Sequence, residues 1–277
     1  MPSLTAPADP AEEIQNQVLG LVGGRRMPPD QIIKEVGGRL KIRKNRVQRA
    51  IRDLVAKGEL AYTFEHGRTF LEPSFDRPVR VAERIVLTPP GKGFQPGPQD
   101  VVICIMPGSA FGGGRHPTTR LALRGVEFAL THRENPLGGP AHRMLDIGTG
   151  SGVLAIAAVM LGIESGIGID VDPCAVAEAK ANIQLNGLEG RILISDTPAE
   201  SINGPFALIA ANLRLPTLLC LAPSIAGWAS RGTVVVISGI RLEEAETLLS
   251  VYKNQSFVET WRDDEDDWMG LALRKEG

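Results

Sequence analysis

The sequence predicts an α/β protein: a mostly parallel sheet with helices on both faces, preceded by a small basic helical module. Three observations carry this. From residue 142 onward, short runs rich in Ile, Val, Leu and Ala alternate with segments of helical periodicity, the pattern of strands buried on both faces by crossover helices. The first of those runs ends in a glycine triplet, "DIGTGSG", at the place where such sheets bind ligands. Charge is also divided unevenly. Residues 25–57 hold eleven Lys or Arg against three Asp or Glu, a surplus of eight in a chain whose net charge is −2.

The basic module comes first. Residues 11–22 place Ile14, Val18, Leu19 and Val22 at helical spacing. "PPDQIIKEVGGRL" predicts a second helix, with Pro28 and Pro29 before or at its start, Asp30 as its cap and Gly37-Gly38 at its end. In "IRKNRVQRAIRDLVAKGEL" the residues Val47, Ala50, Ile51, Leu54 and Val55 form one apolar face, and Arg43, Lys44, Arg46, Arg49 and Arg52 form the outer one. Gly58 is a suitable C-terminal cap. "LAYTFEHGRTFLEP" alternates apolar and polar residues about a His66-Gly67 turn and predicts a hairpin, with His66 an exposed turn residue.

Three helices and a hairpin predict a winged helix-turn-helix domain over residues 1–76. Its third helix would be the recognition helix, with cations neutralising phosphates and Arg68 of the hairpin adding to them. Winged helices also dock proteins, so both a nucleic acid and a protein stand as partners of the basic helix 43–57.

The second domain, residues 77–277, opens with two strand-like runs around a Pro/Gly-rich loop. Strands are then expected over 142–148, 165–171, 191–196, 206–213 and 232–240, with helices over 151–161 and 173–187. The tail, "SFVETWRDD" and "DWMGLALRK", predicts two strands with no helix between them, an antiparallel pair. Gly148, Gly150 and Gly152 allow a sharp turn and close approach to a ligand. Val153 stands where the dinucleotide fingerprint needs a further glycine, so that fingerprint is not met. Asp170 ends the second strand, 22 residues after Gly148, and suits ribose hydroxyls. Asp196, ending the third strand, could accept from an adenine amino group. Asp172 beside Pro173 reads as a helix cap.

Composition and patterning exclude several classes. Hydrophobic content of 43% and charged content of 22% are those of a soluble globular protein. No apolar run is long enough to span a bilayer, and the N-terminus lacks a secretory pattern. Cys104, Cys174 and Cys220 are far apart and form no metal-ligand spacing, which suits reduced thiols in the cytoplasm. No metal site is expected.

The stretch "PGSAFGGGRHPTT" (107–119) is too glycine-rich for a helix or strand interior and reads as either a linker or a loop built around a ligand. Together with "LDIGTGSGVLAIAAVMLG", "GIDVDPCAVAEAKANIQLNG" and "LIAANL", it resembles the S-adenosylmethionine-dependent class I methyltransferases, and among them the ribosomal protein L11 methyltransferase (PrmA-like) family. The resemblance runs from about residue 78 to the C-terminus. It implies a Rossmann-like sheet of seven strands, the last antiparallel, and S-adenosylmethionine as cofactor. It carries Thr119, Gly148, Asp170 and Asn212 onto the family's cofactor contacts.

The resemblance makes residues 107–119 a cofactor lid, with Phe111 covering the cofactor and Thr119 hydrogen-bonding its methionine end. His116 is a candidate proton acceptor, although the family pattern makes it a shaper of the lid. Asn212 is the expected catalytic residue, orienting the incoming nitrogen. "LRLP" follows it rather than "PPY" or "PPF", which favours an amine over an amide or a base nitrogen. Two departures stand out. Gly113 occupies a position where the family usually has Thr, and the basic module stands in place of the family's usual docking domain for the ribosomal protein. The expected function is protein N-methylation of a lysine or α-amino group. The alternatives are a nucleic-acid methyltransferase and a DNA-binding regulator that senses the cofactor without catalysis.

Overall fold

The computed structural model describes residues 10–23, 26–65, 67–132 and 142–277. The chain divides into two compact units, Met1–Val79 and Arg80–Gly277.

In the first unit α1 (Pro10–Val22), α2 (Pro29–Leu40) and α3 (Lys44–Ala56) precede a hairpin of β1 (Leu60–Glu65) and β2 (Arg68–Pro73). Met27, between α1 and α2, bridges antiparallel to Leu71 and adds a third strand position beside β2. The apolar faces converge on Ile14, Val18, Val22, Met27, Ile32, Val36, Val47, Ile51, Leu54, Leu60 and Leu71, all buried. Each such side chain is worth about 1.5–3 kcal/mol relative to exposure.

Two expectations for α2 are corrected. Asp30 lies in the first turn, but the N-cap is Pro28 and no side-chain cap forms. Gly37-Gly38 lie inside the helix, which continues to Leu40 and ends on Lys41 in the left-handed region. Burial of Ile32 and Val36 offsets a cost of about 1 kcal/mol per glycine. Gly58, at φ +67, follows the C-cap of α3. His66 lies outside the described residues.

At the boundary lies β3 (Val79–Arg80), followed by the parallel pair β4 (Ile85–Thr88) and β5 (Val101–Cys104). The main elements follow in the order α4 (Pro117–Thr131), β6 (Arg143–Ile147), α5 (Val153–Met160), β7 (Ser165–Ile169), α6 (Pro173–Leu185), β8 (Ile192–Ser195), β9 (Phe206–Asn212), α7 (Leu215–Trp228), β10 (Ala229–Arg241), α8 (Ala245–Lys253), β11 (Phe257–Glu265) and β12 (Trp268–Lys275). They build a seven-stranded sheet in the order β11-β12-β10-β9-β6-β7-β8. Strands β10, β9, β6, β7 and β8 are mutually parallel, while β12 runs antiparallel to both neighbours. This is the Rossmann-like arrangement expected from the sequence.

Strand β9 is buried at six consecutive positions, as a central parallel strand must be. One face of the sheet packs on α7 and α8 through Phe206, Leu218, Ile225, Leu248 and Tyr252. The Tyr252 hydroxyl donates to the Leu218 carbonyl at 3.1 Å, so this buried phenol is satisfied. Chain order reverses at β6: β7 and β8 extend to one side, β9 and β10 to the other. The carboxyl ends of β6 and β9 therefore form the switch point at which such sheets bind ligands. Among the described residues, no helix is long and apolar enough to cross a membrane.

Candidate active site

A cavity of about 580 Å³ opens at that switch point. Its volume is that of a small-molecule site. Four strand ends supply its wall: Gly148 and Gly150 after β6, Asp170 after β7, Thr197 after β8 and Asn212 at the end of β9. Ile147, Ile169, Ala175 and Leu221 make it largely apolar, and Ser109, Ala110 and Phe111 reach it from the 107–119 loop.

The loop after β6 explains its glycines. Gly148 has φ +68 and Gly150 φ +54, the left-handed region that costs other residues about 1–2 kcal/mol. A Cβ on Gly150 would lie 2.2 Å from the Phe111 carbonyl oxygen, and one on Gly148 2.6 Å from Leu213. The Gly150 N–H donates to Asp170 at 2.8 Å, and the Asp172 N–H donates to the other Asp170 oxygen at 3.0 Å. Asp170 is thus held facing the cavity, with lone pairs left for hydroxyl donors. Asp172 caps α6 by accepting from Cys174 N–H, as expected.

Beneath this loop lies Asp146, with no exposed surface. It accepts from the Thr149 hydroxyl at 2.7 Å. Burial pushes its carboxyl up to about 7, with the nearby Asp170 charge adding to the rise and hydrogen bonds from Thr149 and Ala155 opposing it.

The 107–119 loop is pinned at both ends. The Ser109 N–H and hydroxyl and the Ala110 N–H all donate to Glu178 of α6, at 2.8, 2.8 and 3.0 Å. Burial works against the Glu178 charge, but these donors hold its carboxyl below the usual range. One and two turns on, Asn182 accepts from Met106 N–H, and Asn186 both accepts from and donates to the Cys104 backbone. Further along the loop, the Phe111 carbonyl accepts from Ser151 N–H at 2.8 Å. The Phe111, His116 and Trp268 rings form a ladder with centroid spacings of 5.1 and 5.2 Å, and Arg241 lies 3.8 Å over Trp268.

His116 is the N-cap of α4. Its Nδ1 accepts from Thr118 N–H, which occupies the lone pair that a base at that nitrogen would need. The structure thus shows His116 as a helix cap stacked between Phe111 and Trp268. Behind the lid, buried Arg120 donates to the Gly114 carbonyl at 2.9 Å and to the Arg115 carbonyl at 2.5 Å, and pairs with buried Glu265. Arg124 donates to the second Glu265 oxygen at 2.9 Å.

Of the expected site residues, Phe111, Gly148, Gly150, Asp170 and Asn212 line the cavity. Three do not. Gly152, at φ +82, instead N-caps α5 and packs its backbone on Ala179. Asp196 is exposed, and the next residue, Thr197, takes its place on the wall. Thr119 is 1% exposed on the first turn of α4, behind the lid, and its hydroxyl has no partner among the described residues. Gly113 has open space around its Cβ position.

Sequence reasoning missed Glu178, Asn182 and Asn186. Their i, i+4, i+8 spacing along α6 and its C-cap marks a polar stripe, and that was the available signal. It also missed the Arg120–Glu265 pair, which no local pattern announces. Among the described residues, no group of three or more His, Cys, Asp or Glu could hold a metal ion.

A close-approach glycine loop, a fixed carboxylate, apolar walls and a covering aromatic suit a nucleoside-sized ligand.

The family model described as Ribosomal protein L11 methyltransferase (PrmA) matches residues 74–276. The Ribosomal protein L11 methyltransferase of Geobacter sulfurreducens is 38% identical over 200 residues, which are 72% of this chain and 63% of that protein. That of Pelotomaculum thermopropionicum is 34% identical over 199 residues, 72% of this chain and 62% of its own length. The chain thus spans less than two thirds of these relatives. Among solved structures, the ribosomal protein L11 methylase of Lactobacillus delbrueckii subsp. bulgaricus matches with a TM-score of 0.63 and 28% identity, over 73% of this chain and 100% of that one. The basic three-helix module lies before the matched region.

Proposed function

Because the chain belongs to the ribosomal protein L11 methyltransferase (PrmA) family, we propose that it is an S-adenosylmethionine-dependent protein methyltransferase acting on a lysine or α-amino nitrogen. One observation carries the reading: Gly148, Gly150, Asp170 and Asn212, from three separate strand ends, open on one cavity beneath a pinned aromatic loop. The proposed acceptor is a ribosomal protein of the kind for which the relatives are named.

S-adenosylmethionine, when bound, supplies a methyl group already activated by its sulfonium. Asp170 would accept from its ribose hydroxyls, and Gly148 and Gly150 would let the backbone approach it. Gly152 would shape the loop as the N-cap of α5, and Thr197 rather than Asp196 would meet the ligand after β8. Phe111 excludes water, which strengthens the polar contacts inside. Asn212, whose side chain makes no hydrogen bond with a described residue, orients the acceptor nitrogen with its carbonyl oxygen. Alignment of this kind is the main lever for a displacement of this type. No base is needed if the amine loses its proton to solvent. With a reference pKa of ~10.4, about 0.04% of a lysine is neutral at pH 7, so the rate climbs about tenfold per pH unit toward ~9.

We propose further that residues 1–76 form a winged helix and residues 77–277 the catalytic domain. The order α1, Met27 bridge, α2, α3, β1, β2 supports the former. Exposed cations on α3 support a nucleic-acid contact there, as a partner rather than as the methyl acceptor. Three unpaired cysteines fit a cytoplasmic setting.

Radiolabelled S-adenosylmethionine incubated with the protein and a cell extract tests the reading. Label in a protein band that survives nuclease supports it. Label lost to nuclease turns it to RNA or DNA, and cofactor binding without label turns it to sensing.

A further inference from the structure

The N-terminal unit carries a surface that methyl transfer leaves unused. Arg43, the N-cap of α3, and Lys44, Arg46, Arg49 and Arg52 on the helix are exposed, and none of their side chains makes a hydrogen bond or ion pair with a described residue. The next element, β1, exposes two aromatic rings: Tyr62 is 52% and Phe64 74% exposed. Two residues apart in a strand, they point to one face, with Cα atoms about 6.7 Å apart. Leu60 shares that face and is buried, as is Leu71, which pairs with Tyr62 across the hairpin. The hairpin therefore runs out past the edge of its own core, and its last two inward positions hold aromatics in solvent. Large exposed apolar groups in such a cluster mark an interaction site.

The charge on α3, the helix that precedes β1 in the chain, indicates what covers them. An apolar protein partner would leave the exposed α3 cations uncompensated, whereas a polyanion neutralises them. A polyanion that also offers flat π-faces is a nucleic acid with unpaired bases, since a duplex hides those faces in its stack. We propose that Tyr62 and Phe64 stack unpaired bases while the α3 cations hold the phosphates, so that this module grips single-stranded nucleic acid in preference to plain duplex. The proposal rests on the reading of α3 as a nucleic-acid contact.

Fluorescence anisotropy on the full chain tests it, with labelled single-stranded RNA, single-stranded DNA and the corresponding duplexes. The single strands should bind more tightly than the duplexes, and the RNA and DNA arms identify which strand is preferred. Tyr62→Ala and Phe64→Ala should each weaken single-strand binding at least about fivefold and leave duplex binding unchanged. Phe64→Trp should restore it, and Phe64→Leu, which keeps apolar bulk, should not. Arg46→Ala with Arg49→Ala should weaken both and flatten the single-strand salt slope by about 1.4. Superimposable circular-dichroism melts establish that the variants fold. If the arginine variants weaken binding and the aromatic variants do not, α3 remains the contact and the stacking proposal fails. If Phe64→Leu binds like wild type, the patch is a generic apolar surface and the proposal fails. If neither single strand nor duplex shows salt-dependent binding, the proposal and the underlying reading of α3 fail together.

Discussion

Replacing Glu265 by leucine should be among the most damaging single changes to the second unit. Arg120 and Glu265 are both 4% exposed. The carboxylate accepts from Arg120 Nε at 2.9 Å and from Arg124 at 2.9 Å. Arg124 keeps a second partner, Asp263, at 2.7 Å. Among the described residues, Arg120 keeps only the loop carbonyls of Gly114 and Arg115. A buried guanidinium without its carboxylate costs about 3–5 kcal/mol. For a unit of this size that is a fall of roughly 6–20 °C in melting temperature.

Arg120→Met should cost a similar amount, because it strands the carboxylate. The double variant Arg120→Met/Glu265→Leu should recover much of the loss, since neither charge is then left buried. Thermal and urea unfolding of the four proteins closes the cycle, with a coupling energy of at least about 2 kcal/mol expected. Additive effects, or a Glu265→Leu variant within about 0.5 kcal/mol of wild type, would refute the account of this pair. Calorimetry with S-adenosylmethionine gives a separate readout: Arg120→Met should weaken binding, because the lid carbonyls lose their donor.

Three further outcomes are expected. Asp146 titrates near 7 when folded, against an ordinary value of 3.8. A raised acid of this kind contributes stability that is full below the unfolded value and is lost as pH rises through the folded one. Unfolding free energy should therefore fall between about pH 4 and 7, by an order of 4 kcal/mol, and Asp146→Asn should flatten that slope in urea titrations. Gly150→Ala forces a left-handed alanine and a Cβ 2.2 Å from the Phe111 carbonyl, so cofactor affinity should drop at least tenfold by calorimetry; Gly113→Thr, with open space around it, should leave affinity within about twofold. Asn212→Ala should lower kcat by about a hundredfold, read from single-turnover transfer at saturating cofactor.

The parallel sheet was legible because each strand must bury both faces and so reads as an unbroken apolar run, β9 most plainly. The place of the glycine loop and Asp170 on the cavity was legible because both sit at strand ends, which the apolar runs locate. Asp196 shows the limit. One residue's difference in where β8 ends decides whether Asp196 or Thr197 reaches the wall, and local propensity does not resolve one residue. Gly37-Gly38 looked like a helix end, yet the buried Ile32 and Val36 carry α2 through them. The lid anchors were hidden for different reasons. Glu178, Asn182 and Asn186 resemble an ordinary solvated stripe until β5 and the lid are laid against α6. Arg120 and Glu265 are 145 residues apart and meet only because β11 ends beside α4. A pairing of that kind belongs to topology, which no window of sequence contains.

On the proposed reading, this cavity aligns a cofactor methyl with a protein amine. The decisive experiment is intact-protein and peptide mass spectrometry of purified ribosomal protein L11 incubated with the protein and S-adenosylmethionine across pH 7–9. Whole-methyl mass increments on a lysine or the α-amino group, rising with pH and lost in Asn212→Ala, are the predicted result. An unmodified ribosomal protein in a sample that binds the cofactor and methylates RNA or DNA would contradict it.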